Sequence, residues 1–494
     1  MRTMDAATPA PTSTGKRPWW ILTTYYAEGF PYSLVRLMST AYFKDHGASL
    51  EAIGLTSLFG IPWILKLLWA PFVDTFATKR RWLLAMELSV AVGIASLGIA
   101  STLPRPLAAG AVVFMLLAVL AATHDIAIDG YYLEALDRTE QARYVGLQSA
   151  AYRVAMITGG GVIAFVCGRW TWLIGYVAAA GVMAALWLLH AYRLPRVELP
   201  KRSFAELAGY LLTPRHAAIA GSATAVVAGL WVVLRSATVV EMAAPLRKIS
   251  APMWVVIALA ITLGALATRA PALKRRLYDS NSHYAVAFID YLDRPRIGVV
   301  LAFILTYRIG ESLLQNMAYP FLKDIGITLE QYGLAHNTFG IIATIVGSIA
   351  GGALIARFGL RRCIWPFVLA LNSLNVLYML LALKYRYILH DPNAGVADFG
   401  LVAALITLEQ LGAGFGNAAL AVFIMRTTKA SFKAAHFAIG TGLMNIAGTL
   451  AGVFSGFLAS AVGFPIFFGL TFVLAIPNMA LIPLLPFAED NTAG

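Results

Sequence analysis

Residues 123–132 read THDIAIDGYY, and they follow the apolar run AAGAVVFMLLAVLAA (108–122) with no turn residue between the two. About 20 apolar residues suffice to cross a bilayer, so a spanning segment here runs straight into one His and two Asp. Asp125 and Asp129 are four apart and share one face of a helix. A carboxylate in hydrocarbon is costly unless it is paired or faces water. A segment that keeps two of them on one stripe therefore reads as a working membrane helix, and the rest of the chain follows from it.

The composition agrees. Of 494 residues, 59% are hydrophobic and 13% charged, with a mean hydropathy of +0.72. Soluble chains carry about 25% charged residues, so the chain reads as a polytopic membrane protein rather than several soluble domains. The net charge of +13 is spread over short loops between apolar runs. No basic face results, so the expected partner is a lipid bilayer and not nucleic acid. Cys167 and Cys363 lie in separate apolar segments and offer neither a disulfide framework nor metal spacing. No H-E-x-x-H pair and no G-x-S-x-G turn is present, which disfavours a membrane-embedded enzyme.

Segments of spanning length fall near 19–43, 51–73, 82–101, 107–134, 143–167, 170–192, 216–235, 252–268, 297–322, 331–356, 363–383, 398–425, 433–461 and 464–486, about fourteen helices in an all-α protein. Residues 1–18 and 488–494 read as polar tails, the first disordered and cytoplasmic. With the N-terminus inside, 25 of the 38 Lys and Arg fall in inner loops, which places both termini in the cytoplasm. Residues 195–296 form a basic linker holding an inserted helix pair (216–235 and 252–268) and an amphipathic interfacial helix (282–295). Without that pair, six spans (19–194) and six spans (297–487) flank a linker. The second span of each half ends in a basic turn, APFVDTFATKRR (70–81) and GGALIARFGLRR (351–362). Two such halves are the plan of a major facilitator transporter.

Charges inside the spans are the functional candidates. Glu28, Asp125, Glu311 and Glu409 fall near mid-depth on core spans one, four, seven and ten, the spans that line the cavity in a facilitator. The short turn ALDRTEQAR makes spans four and five neighbours, so Asp125 is expected to meet Arg153. Arg308 and Glu311 are three apart on one helix. Asp129, nearer the cytoplasm, is assigned to gating, as are Asp74, Arg80 and Arg81 in the basic turn. Lys66 is expected to snorkel to the interface; Arg36, near the outer end, either snorkels or greets an anion. His124 and His436 are read as ordinary hydrogen-bonding residues. Gly29 and Pro31, beside Glu28, predict that span one kinks or opens there. The glycines of GTLAGVFSG (448–456) form a packing stripe, and GAGFGN (412–417) either lets helices slide or simply packs.

KLLWAPFVDTF (66–76), DIAIDGYYLEAL (125–136), YRVAMITGGG (152–161), TYRIGES (306–312), ATIVGS (343–348) and LEQLGAGFGNAALAVFIM (408–425) resemble the AmpG muropeptide permease family in order and spacing. The resemblance covers nearly all of the chain outside the tail and the inserted pair, and eukaryotic acetyl-CoA transporters look like more distant relatives. It implies a major facilitator that imports anhydromuropeptides across the bacterial inner membrane on the proton gradient, with no other cofactor. Asp125, Asp129, Tyr152, Arg153 and Glu409 match the family pattern. Arg308 stands where Lys is typical, Glu311 where Asp is, and Glu28 where Gln or an uncharged residue is common. The inserted pair is a further departure.

On that basis Glu28, Asp125, Glu311 and Glu409 are the proton-coupling candidates. Arg308, Arg153, Tyr152 and Asn417 are candidates for the anionic sugar-peptide, with Tyr25, Tyr26, Tyr32 and Tyr319 stacking on its sugars. A monomer is expected. A siderophore, an acyl-CoA-like molecule or an oligopeptide are the alternative cargoes for the same fold.

Overall fold

The computed structural model describes residues 19–66, 69–196, 289–293, 296–427 and 433–486, with isolated positions at 203, 206, 209, 213 and 275. All regular structure among them is helical. Ten helices are long and apolar enough to cross a membrane, and the shorter Leu50–Leu65 is also apolar. The inserted pair at 216–235 and 252–268, both tails, and most of 282–295 lie outside the described residues, so the count of fourteen has no counterpart here. Within the last segment, 289–292 are helical, with Ile289 and Tyr291 buried.

The N-terminal half consists of α1 (Trp19–Arg36, continued by Met38–Asp45), α2 (Leu50–Leu65, then Ala70–Thr75), α3 (Lys79–Ala100), α4 (Pro106–Ala135), α5 (Arg138–Ile157, running on to Ile163–Arg169) and α6 (Trp172–Arg193). The C-terminal half repeats the plan with α7 (Ile297–Asp324), α8 (Leu329–Phe358), α9 (Leu360–Lys384), α10 (Phe399–Arg426), α11 (Lys433–Val462) and α12 (Phe464–Leu484). Sequence chemistry sets the ends. Asp137 and Glu140 form a capping box at the start of α5, and Thr328 with Gln331 forms another at α8. Thr78, Thr171 and Asp398 cap α3, α6 and α10. Each cap satisfies backbone N–H groups that the first helical turn leaves open.

Several helices depart from regular form, and the departures nearest the cavity are not where the sequence points. The helix Trp19–Arg36 runs through Gly29 and Pro31 and is interrupted only at Leu37. Gly29 serves close packing instead, since a Cβ there would lie 2.8 Å from the Tyr152 carbonyl oxygen on α5. The break beside a charge occurs on α7, where Arg308 separates Ile297–Tyr307 from Ile309–Asp324. α5 and α8 each contain a π-helical turn, Thr158–Val162 and Ala335–Gly340. These turns face one another across the two halves, where Asn337 donates to the Gly160 carbonyl oxygen (2.7 Å).

α5 packs on α8 and α2 packs on α11, and these two pairs join the halves. The glycine stripe of α11 makes the second contact possible. A Cβ on Gly456 would fall 1.9 Å from the Leu50 carbonyl oxygen, and one on Gly452 would fall 2.1 Å from Ser57 Oγ. Gly412, Gly414 and Gly416 instead hold α10 tightly between α9 and α8 within one half. At the end bearing residues 44–50 and 324–329 the halves are also bridged by Lys44–Asp324 (2.6 Å), Lys323–Asp45 and a Tyr319–Asp45 hydrogen bond (2.7 Å). We call this the closed end.

Candidate functional site: a central cavity and a buried acidic cluster

A cavity of about 320 Å³ lies between the halves, lined by α1, α5, α7, α8, α10 and α11. Its charged lining is Arg36, Arg153, Arg308 and Glu311. Arg308 grips Glu311 through two parallel hydrogen bonds, Nε to Oε2 and Nη2 to Oε1, both 2.8 Å. The break in α7 puts this pair in the wall. Arg36 donates to the Ser57 carbonyl oxygen at 3.0 Å. Arg153 pairs with no carboxylate among the described residues and lines both this cavity and an adjoining pocket with Tyr25, Glu28, Gln148 and Tyr152. Three guanidinium groups thus face one carboxylate, leaving the cavity wall cationic.

The expected Asp125–Arg153 pair does not form. α1 packs against both α4 and α5 and so lies between them. Asp125 instead pairs with Lys66 of α2, which is therefore not a snorkelling surface residue. Asp125 is buried, and its carboxylate lies with those of Glu28 and Asp129 in a group whose ligand atoms are all within 4.8 Å of one another. Tyr25 donates to Asp129 Oδ1 at 3.0 Å. The cluster ties α1, α2 and α4 together and stands behind the wall of the main cavity. Asp129 belongs to it, one helical turn from Asp125, and touches no residue of the other half in that bond.

On the other side, Glu409 is fully buried and also stands behind the cavity lining, while its neighbour Gln410 lines it. Gln410 donates to Glu409 Oε2 (3.0 Å) and approaches His336 Nε2 (3.3 Å). The His336 ring lies between Gln315 (2.8 Å) and Asn337 (3.0 Å). Asn417 lines the cavity.

The tyrosines divide. Tyr32 lines the main cavity, 5.8 Å from the Tyr152 ring, whereas Tyr25 and Tyr152 line only the adjoining pocket. Tyr26 stacks on Phe30 and hydrogen-bonds Thr158 (2.7 Å). Tyr319 is buried at the closed end on Asp45, eleven residues or about 16 Å along α7 from Arg308, too far to be a sugar platform in this cavity. Of the residues assigned to gating, Asp74 pairs with Lys79 within its own half. Arg80 donates to the Ala191 (2.7 Å) and Leu194 (3.2 Å) carbonyl oxygens at the C-terminal end of α6, a local cap. Arg81 is exposed.

The profile of the Major Facilitator Superfamily matches residues 21–289 and 299–493. The chain belongs to this superfamily. Among curated proteins it is similar to the anhydromuropeptide permease of Escherichia coli (strain K12), 24% identical over 465 residues that cover 92% of this chain and 77% of that protein. It is also similar to the putative transporter AmpG 4 of Rickettsia conorii (strain ATCC VR-613 / Malish 7), 21% identical over 472 residues, covering 92% and 93%. Solved structures share the fold. The POT family transporter PepTSo superposes with a TM-score of 0.65 at 12% identity, covering 95% and 98%. A peptide transporter POT in complex with sulfate gives 0.62 at 13% identity, covering 94% of each chain. The chain is thus an AmpG-like facilitator and a multi-pass membrane transporter.

Two features of this facilitator escaped the sequence reading. Glu87 of α3 and His190 of α6 are fully buried and hydrogen-bonded to one another (2.9 and 3.0 Å), with the other ring nitrogen 2.9 Å from Thr23 Oγ1 of α1. A Glu within an apolar span was the available signal. His124, read as an ordinary hydrogen-bonding residue, is buried with neither ring nitrogen bonded to a described residue. His436 lies 3.6 Å from Asp290. The second feature is the set of charges at the closed end, which sit at the last residues of two helices, just beyond the spans expected from the sequence.

Proposed function

We propose that this facilitator is a proton-coupled importer of the bacterial inner membrane, with both termini in the cytoplasm, and that its cargo is an anhydromuropeptide. The observation that carries an anionic cargo is the cationic cavity wall, with Arg153 free of any carboxylate among the described residues. A guanidinium in that state holds a carboxylate by charge-assisted hydrogen bonds. Arg308 is already committed to Glu311, so Arg153 is the first anchor and Arg308 a second, released only if Glu311 takes up a proton. Tyr32 offers a face for a sugar ring and Asn417 a carboxamide for its hydroxyls. The permease of Escherichia coli, named for anhydromuropeptides, supports the choice of cargo.

The cluster of Glu28, Asp125, Asp129 and Lys66 sets three carboxylates against one ammonium. Ionised together they leave surplus negative charge in apolar surroundings, and a bound proton removes it. That cluster is therefore the proposed proton site on the N-terminal side, with Glu409 on the other. Lys66 offsets part of the negative charge left when the proton leaves. Closure at the end bearing residues 44–50 makes this the state that faces the cytoplasm. Rocking of the halves then exposes the cavity to the other side.

The test of cargo is equilibrium binding of labelled anhydromuropeptide to the purified protein, with unlabelled siderophore, acyl-CoA and oligopeptide as competitors. Saturable binding that the muropeptide competes best, and that Arg153→Gln weakens roughly tenfold or more, is expected. Preferential displacement by another anion transfers the reading to that cargo.

A further inference from the structure

The closed end carries an internal repeat in sequence and in space. Residues 44–55 read KDHGASLEAIGL and residues 323–334 read KDIGITLEQYGL, identical at seven of twelve positions with Ser49 opposite Thr328. The two copies build the same local structure. Gly47 and Gly326 both take a left-handed backbone, with φ of +77° and +91°. Ser49 caps α2 through the Ala52 N–H (3.3 Å), and Thr328 caps α8 through the Gln331 N–H (3.2 Å). Each copy then seats its last glycine on the other half. A Cβ on Gly54 would lie 2.8 Å from the Val453 carbonyl oxygen of α11, and one on Gly333 would lie 2.8 Å from the Ala164 Cβ of α5.

This places the two Lys-Asp dipeptides face to face and crossed. Lys44 meets Asp324, and Lys323 meets Asp45. Each copy supplies one cation and one anion to its twin, the arrangement of a two-fold, self-complementary interface. The clasp is not fully symmetric: Asp45 also accepts from Tyr319, and the repeat places Thr40 at the matching position. The four side chains range from 15% to 38% exposed. They are wet enough to separate without stranding a charge in hydrocarbon, unlike Arg308 and Glu311, whose carboxylate is 4% exposed.

We propose that Lys44, Asp45, Lys323 and Asp324 form a two-fold charge clasp that holds this end of the transporter shut, and that its release admits cargo from that face. The proposal rests on the reading of the chain as an alternating-access transporter. The clasp works by charge order rather than by residue identity. Reversing one copy sets Asp against Asp and Lys against Lys, and reversing both restores the two ion pairs, although not the Tyr319 hydrogen bond to Asp45.

The experiment uses the full chain in proteoliposomes, with Asn417→Cys as a reporter in the cavity and a membrane-impermeant thiol reagent added at the closed face. The K44D/D45K variant is expected to label about tenfold faster, as repulsion shifts the two-state balance towards the open form. The variant carrying K44D, D45K, K323D and D324K is expected to return to the slow parental rate. D45N with D324N, which removes attraction without repulsion, is expected to fall between, and it serves if the reversal variant does not fold. Equal labelling of the parent and D45N/D324N, or a folded four-fold reversal that stays fast, overturns the clasp. Labelling needs no cargo, so failure of the unsubstituted chain, with Asn417 intact, to take up muropeptide counts against the proposed cargo and leaves this readout intact.

Discussion

Arg153 and Arg308 are both guanidiniums in one cavity wall, yet removing them has opposite consequences. Arg153 has no described carboxylate to strand. Arg153→Gln is expected to leave thermal stability near that of the parent while weakening cargo by roughly tenfold or more, the worth of a charge-assisted hydrogen bond of about 1.5–3 kcal/mol. Parallel melting and binding curves check this. Arg308→Gln strands the buried Glu311 carboxylate and is expected to cost about 2 kcal/mol of stability, most of which Arg308→Gln/Glu311→Gln recovers. The same reasoning applies to Lys66. Lys66→Met is expected to lower the melting temperature more than Lys66→Met/Asp125→Asn does, because the double variant removes the orphaned carboxylate as well. Equal melting points for those two variants would contradict the pairing of Lys66 with Asp125. At this scale the sequence was a good guide to which residues carry charge in the membrane and a poor guide to partners. Proximity along the chain paired Asp125 with Arg153. Packing interposes α1, and a residue 59 positions away in sequence supplies the ammonium.

Helix ends and lengths were legible because they rest on local chemistry: hydropathy over about 20 residues, and caps such as Asp137–Glu140. Irregularities within helices were not, because they answer to contacts between helices. Gly29 and Pro31 look like a break, yet the helix passes through them while Gly29 takes up the close approach of α5. The break falls at Arg308, which has no breaker signature. The glycines of α11 can be tested directly. Gly456→Ala is expected to cost about 1–3 kcal/mol of the closed arrangement through overpacking against the Leu50 carbonyl. Gly442→Ala on the same helix, with open space around it, is expected to be neutral. Cysteine labelling at the closed face reads the difference, and equal rates for the two variants would contradict the packing role assigned to Gly456.

For the whole molecule, the two-half plan was legible from the count of spans, but the contact between halves was not. α2 with α11 and α5 with α8 are pairings between helices more than 150 residues apart in the chain. Their signal, the repeat of KD, G, LE and GL at 44–55 and 323–334, lies in the ends and starts of helices and the turns between them, where hydropathy says nothing. The cavity also differs from the expectation. Of the four membrane carboxylates expected to line it, Glu311 alone reaches the main cavity, and Asp125 and Glu409 stand buried behind it. Under the proposed function, that arrangement would separate cargo, at the cations of the wall, from protons, at the carboxylates behind it. The most direct measurement of this account is uptake of labelled anhydromuropeptide into proteoliposomes with and without an imposed pH gradient. Accumulation above equilibrium only with the gradient, lost in Asp125→Asn while binding persists, is the predicted result. Accumulation that ignores the gradient, or that survives Asp125→Asn together with Glu409→Gln, would contradict it.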